Sequence, residues 1–307
     1  MHIRIGTRSS RLALWQAEYI QQLLQAAGIT SELVLIETKG DQILDRSLSK
    51  IGSKGIFTQE LEDQLRSGAI DIAVHSAKDL QSSLPADLSI IAFTERERVN
   101  DVLVSRNRSL SLTSGQSFTI GTSSTRRVAM LRHYCPHINV VDMRGNLQTR
   151  LRKLDEGHCD ALLLAYAGVH RMHYDDLIAE HLPISDFTPA VGQGSVAIEA
   201  ADTLPLDKLA QVRSLTNHEP TEACLKAERA FLRRLEGGCS IPVFALATWA
   251  GDEISLTGGL ISLNGANILR ETFSGPPAQA EQLGHDLAEA LLTRGGDEIL
   301  QSIRAAL

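Results

Sequence analysis

The chain has 307 residues, 43% of them hydrophobic, and sets 37 acidic against 30 basic side chains for a formal charge of −7. That balance argues against general attraction to nucleic acid or anionic membrane, and 4% aromatics leaves too few rings for rows of base-stacking platforms. Four cysteines, Cys135, Cys159, Cys224 and Cys239, show neither CxxC pairing nor metal-ligand spacing, so thiols are expected rather than a disulfide framework or a zinc site.

Taken in chain order, HIRIGT alternates like a strand, and SSRLALWQAEYIQQLLQAAG follows with Leu12, Trp15, Tyr19 and Leu23 at helical spacing before Gly28 ends it. SELVLIET predicts a strand, FTQELEDQLRSG a helix and AIDIAVHSA another strand, which together make an α/β region with a largely parallel sheet. Between them, KGDQILDRSLSKIGSK has weak periodicity and reads as a mobile loop or lid. After LSIIAFTERERVNDVLVS the pattern restarts with strand SFTIGTS, helix STRRVAMLRHYC, strand INVVDMRG, helix NLQTRLRKLDEG and strand DALLLAYAG. SVAIEA, after FTPAVGQG, reads as a strand through which the chain crosses back to the first region. From Pro220 the style changes to a helix, a three-strand meander and two closing helices.

The fold expected is two similar doubly wound α/β domains, like periplasmic binding proteins, with a hinge at the two crossings, plus a smaller α+β C-terminal domain. Residues 1–95 and 194–214 would form the first domain, 99–190 the second and 218–307 the third. The opening MHIRIGTRSSRLALW breaks its apolar residues with Arg4, Arg8 and Arg11, and no later run is long enough to span a bilayer, so the chain reads as soluble and cytoplasmic.

Four strand-to-helix turns share a composition: GTRSS, GTSSTRR, RGNLQTR and AGVHR. Each sets glycine or a capping residue beside a helix start, where unpaired N–H groups and the helix dipole attract anions, and each adds arginine, whose fork grips a carboxylate. Any one alone is more simply a capped helix. Four together point to a ligand with several negative charges, and without a GxxxxGK[ST] loop a polycarboxylate is at least as good a reading as a phosphate. In DIAVHSAKDL a buried strand ends near His75, Ser76, Lys78 and Asp79, where a carboxylate can stabilise a cation in a transition state or simply pair with a neighbouring base. In RLEGGCSIP, glycines and proline leave Cys239 approachable in a turn, although a small buried hydrophobe at a helix end is the plainer reading of that segment alone. Two functions stay open on these residues: a two-lobed carboxylate-binding protein, and a hydrolase with a cysteine nucleophile partnered by His75 or His218.

In order, GTRSSRLALWQA, KGDQILD, HSAKD, GTSSTRR, RGNLQTRLRKLDEG, PAVGQG and RLEGGC resemble the successive motifs of the porphobilinogen deaminase family, the hydroxymethylbilane synthases. The resemblance spans most of the chain and is weakest over the last 60 or so residues. It implies that four porphobilinogen molecules are joined head to tail with loss of ammonia, in tetrapyrrole biosynthesis. It implies a dipyrromethane cofactor held by a thioether to Cys239, and Asp79 as the catalytic carboxylate. It places substrate and cofactor contacts on Arg8, Ser10, Lys78, Ser124, Arg126, Arg127, Arg144, Arg150 and Arg171, and basic loop positions on Lys50 and Lys54. A cytoplasmic monomer is implied, with no metal and with its product passing to uroporphyrinogen-III synthase. Arg11, where proline is common, and Ala77, where methionine is common, depart from the pattern without touching a role-bearing position.

Overall fold

The computed structural model describes residues 1–42, 58–238 and 240–306. The first stretch folds as β1 (His2–Arg8), α1 (Arg11–Ala26), β2 (Thr30–Ile36), the single turn α2 (Lys39–Gln42), α3 (Gln59–Arg66), β3 (Ile72–Ser76) and β4 (Leu88–Phe93). The second runs β5 (Asp101–Val104), β6 (Thr119–Gly121), α4 (Thr125–Tyr134), β7 (Asn139–Val141), α5 (Leu147–Asp155), β8 (Ala161–Ala165), α6 (Tyr166–Arg171) and β9 (Ile178–His181). Then come β10 (Val196–Ala201), α7 (Leu206–Thr216), α8 (Glu219–Arg234), the strands β11 (Val243–Ala250), β12 (Glu253–Ile261) and β13 (Ile268–Gly275), and the helices α9 (Ala280–Leu291) and α10 (Asp297–Ala306).

One sheet has the order β2-β1-β3-β10-β4 and another β7-β6-β8-β5-β9, while β11-β12-β13 form a small antiparallel sheet. β1 is parallel to β2 and β3, and β6 is parallel to β7 and β8. Each larger sheet also holds one reversed strand, β10 in the first and β5 in the second. The sheets are therefore mixed rather than largely parallel. Burial patterning reveals a strand but not its direction, and both reversed strands follow a crossing segment of the chain. Among the described residues one compact unit takes in 1–42, 58–97 and 194–223, and the other takes in 98–193 and the chain from 224 onward.

In the first unit Ile3, Ile5, Ile20, Leu24, Ile72, Val196 and Ile198 make the core. The buried stripe of α1 is Gln16, Ala17, Ile20 and Leu24, with Trp15 and Tyr19 only half-buried, so the helix is turned one position from the face its large residues suggest. Small Ala17 lets α1 approach the sheet closely, and Gln16 tolerates burial because its Nε2 donates to Ser76 Oγ at 2.8 Å. In the second unit β5 and β8 are buried on both faces, Leu103, Ala161 and Leu163 facing one core and Val102, Val104, Leu162 and Leu164 the other. Phe244 and Ile261 of the small sheet join the first of these cores. The turn after β12 is tied to α4, with Arg132 Nη1 donating to the Leu263 carbonyl at 2.6 Å and His133 Nδ1 lying 2.7 Å from the Gly265 carbonyl. Among the described residues no helix is long and apolar enough to cross a membrane.

Candidate functional site

β1 and β3 lie side by side and parallel, so their carboxyl ends fall at one edge of the first sheet. Arg8 ends β1, and Ser10 caps α1 by accepting from Ala13 N at 3.3 Å; the first turn of α1 holds no acidic residue to offset the helix dipole. β3 ends at Ser76, and residues 77–79 make one tight turn that sets out Lys78 half-buried and Asp79 exposed. Arg8, Ser10, Gln16, His75, Ser76 and Asp79 line a cavity of about 70 Å³. Among the described residues no ion pair involves Asp79. Behind the cavity His75 Nε2 lies 3.0 Å from Glu199 Oε2 on β10, and both side chains are buried.

The second unit repeats the arrangement at the carboxyl ends of β7, β6 and β8. Ser123 Oγ accepts from Met143 N at 3.0 Å, tying the turn after β6 to the turn after β7. Ser124 takes the N-cap position of α4 without a side-chain bond, and no acidic residue occupies the first turn, so that helix start remains electropositive. Arg126 and Arg127 are buried and both grip Asp101, at 2.8 and 2.7 Å, while donating to the Thr188 and Leu163 carbonyls. Gln193 Nε2 adds bonds to Asp101 Oδ1 at 2.8 Å and to the Val99 carbonyl at 2.7 Å. Burial pushes the Asp101 carboxyl up, but the two guanidiniums outweigh it and hold the group well below the usual carboxylate range. After this network, Arg126 Nε, Arg127 Nε and Arg144 Nη1 remain buried donors without a partner. Such orphans are costly, and a multiply charged carboxylate ligand would satisfy them.

Arg150 sits in α5 with Nε donating to the Gly145 carbonyl at 2.8 Å, and Asn146 caps that helix through Thr149 N. AGVHR is not a strand-to-helix turn: β8 stops at Ala165, so Arg171 lies in the last turn of the short helix α6 and is buried. The tyrosine and glycine that follow the apolar strand run continue into the helix instead of breaking it. The structure thus gathers Arg8, Ser10, Lys78 and Asp79 at one sheet edge and Ser124, Arg126, Arg127 and Arg144 at the matching edge of the other sheet. Lys50, Lys54 and Cys239 lie outside the described residues.

Asp101 and Glu199 are buried groups beside these sites that lie in none of the quoted family motifs, whereas Gln16 and Gln193 fall inside GTRSSRLALWQA and PAVGQG. A charge inside an apolar strand run, as in DVLV and VAIEAA, was the available signal: it marks a buried polar group that must have a partner. One ring nitrogen of each histidine is engaged, His75 Nε2 with Glu199 Oε2 at 3.0 Å and His218 Nδ1 with Thr221 Oγ1 at 2.8 Å. The approach to Cys239 is a helix stop of Schellman type. Glu236 N bonds the Arg233 carbonyl at 3.0 Å and Gly237 N the Leu232 carbonyl at 2.9 Å, with Glu236 left-handed at φ 51°.

Two family models match the sequence: "Porphobilinogen deaminase, dipyromethane cofactor binding domain" over residues 3–205 and "Porphobilinogen deaminase, C-terminal domain" over residues 222–293. The chain is 58% identical over 305 residues to a porphobilinogen deaminase of Cytophaga hutchinsonii, covering 99% of this chain and 98% of the relative. It is 52% identical over 305 residues to a porphobilinogen deaminase of Desulfosudis oleivorans, again covering 99% and 98%. Among solved structures it is similar to the methionine binding protein MetQ, with a TM-score of 0.41 and 12% identity over 70% of this chain and 89% of that one. With both models and the full-length relatives in agreement, the chain belongs to the porphobilinogen deaminase family.

Proposed function

We propose that this chain performs its family's reaction, the head-to-tail condensation of four porphobilinogen molecules with loss of ammonia, using Asp79 as the catalytic carboxylate and Cys239 as the thioether attachment of dipyrromethane. The observation that carries the reading is the cavity at the ends of β1 and β3, where Asp79 shares walls with Arg8, Ser10 and the start of α1. Loss of ammonia from porphobilinogen develops positive charge on the pyrrole. A carboxylate not committed to a protein cation is free to stabilise it.

The donor set of the second unit supports binding of a polycarboxylate group such as dipyrromethane. Arg126, Arg127 and Arg144 each keep a buried N–H without a partner, and the start of α4 adds open backbone donors. When bound, dipyrromethane supplies the pyrrole terminus from which the product chain is extended. Arg8, Ser10, Lys78, Ser124, Arg150 and Arg171 complete the proposed acetate and propionate contacts, with Lys50 and Lys54 adding basic groups from the loop. The proposed domains are residues 1–95 with 194–214, 99–190 and 218–307. The protein is proposed to act as a cytoplasmic monomer whose product is taken up by uroporphyrinogen-III synthase.

Asp79→Asn keeps size and most hydrogen bonding while removing the charge, so product formation falls by at least about a hundredfold. Folding survives because the side chain is exposed. Near-normal formation of linear tetrapyrrole by cofactor-loaded Asp79→Asn protein would assign the catalytic role elsewhere.

A further inference from the structure

The buried pair behind the cavity has the chemistry of a proton acceptor. Glu199 is fully buried, its Oε2 meets His75 Nε2 at 3.0 Å, and its Oε1 has no partner. An ionised carboxylate in that setting is expensive. A proton taken up by the imidazole would face that carboxylate across the 3.0 Å contact. With Nε2 committed to Glu199, Nδ1 is the other ring nitrogen of a residue that lines the cavity with Asp79. Among the described residues the other charged groups lining that cavity are Arg8 and Asp79, and the remaining polar walls are Ser10, Gln16, Thr58 and Ser76.

The reaction has a proton to place. Porphobilinogen enters as an ammonium and loses neutral ammonia, leaving a cationic methylene carbon. When that carbon bonds to the free α-carbon of the terminal pyrrole, the α-hydrogen must leave as a proton, and its electron pair restores the aromatic ring. Ammonia finally departs as ammonium, so the proton balance closes if one group carries the proton between the two events. Resting on the porphobilinogen reading above, we propose that His75 Nδ1 accepts this α-proton and passes it to the departing ammonia, with Glu199 as its positioning partner. Asp79 then stabilises the cation without also serving as the base.

Two measurements decide it. Ring ¹⁵N spectra of the holoprotein should show neutral His75 with its proton on Nε2, donated to Glu199; a proton on Nδ1 would leave no acceptor facing the ligand and overturns the proposal. Chain growth on porphobilinogen deuterated at the free α-position should show an isotope effect near one in the parent protein. His75→Asn should slow growth by about a hundredfold and raise that effect above about two, because proton removal becomes limiting. Glu199→Gln still accepts from Nε2 but cannot balance the imidazolium, so it should slow growth by about tenfold with the same rise, and it decides the matter if His75→Asn does not fold. A rate loss with an isotope effect still near one makes the pair merely structural and overturns the proposal, as does an unchanged rate. Failure of the underlying reading is distinguishable, because no covalent pyrrole ladder would then form in the parent.

Discussion

At the scale of single residues, the arginines of the second unit hold more than a ligand. Asp101 is completely buried, and both of its oxygens are taken by Arg126, Arg127 and Gln193. Arg127→Ala leaves Asp101 paired with Arg126 but strips a charged hydrogen bond from a buried carboxylate, so it should lose about 1.5–3 kcal/mol of stability, read from its urea midpoint. An Arg127→Ala protein as stable as the parent would mean that the guanidinium's purpose is ligand contact alone. A second buried carboxylate gives a pH signature. Burial pushes Asp71 up, but hydrogen bonds from Arg4 Nε and Nη2, at 3.1 and 3.0 Å, and from Lys208 Nζ, at 2.8 Å, outweigh it and hold the carboxyl at about 2. Its folded value lies below the ordinary carboxylate value, so the stabilisation is present above about pH 4 and is lost as pH falls toward 2. With both cations partly exposed, the contribution is about 1–2 kcal/mol. The stability gap between the parent and Asp71→Asn should therefore shrink across that window, and a gap that stayed constant down to pH 2 would remove Asp71 as its source.

At the scale of elements, the end of α8 decides where the loop bearing Cys239 begins. Glu236 occupies the left-handed position of a helix stop that usually falls to glycine, and its contact with Arg304 Nη2 at 2.8 Å is solvent-exposed. Glu236→Gly should thus stabilise the fold by about 0.5–1 kcal/mol, seen as a higher denaturant midpoint, whereas a lower midpoint would show that the ion pair outweighs the backbone strain. Periodicity found most of the elements, because IAVHS, VAIEAA and the α8 segment carry strong patterns. It gave no sign of β4, β5, α6, α7 or β9: the four residues of β9 at a sheet edge are too few to show a period, and α7 buries only Val212 and Thr216, too few to mark an apolar stripe. The site was legible where chemistry is local: turns, caps and the HSAKD segment. Its partners Asp101, Gln193 and Glu199 were not, since each meets its counterpart from 25 to 124 residues away in sequence.

At the scale of the whole molecule, the cysteine inventory turns the family's cofactor chemistry into a sharp test. Cys135 belongs to one core of the second unit and Cys159 to the other, while Cys224 is buried on α8. Burial, reinforced by Glu180 and Asp186, pushes the Cys135 thiol up to about 11, and burial also raises that of Cys159. Thiols held neutral and covered are poor nucleophiles toward a carbon electrophile the size of a pyrrole. In the sequence Cys239 instead follows two glycines, Gly237 and Gly238, just beyond the closed helix stop. Intact-mass analysis of active protein should therefore show a single adduct of two pyrrole units, and peptide mapping should place it on Cys239 with the other three thiols unmodified. Brief exposure to porphobilinogen should add further pyrrole masses to that same peptide. An active preparation with an unmodified Cys239, or an adduct on Cys135, Cys159 or Cys224, would refute the attachment and with it the assignment of the loop as the anchor of chain growth.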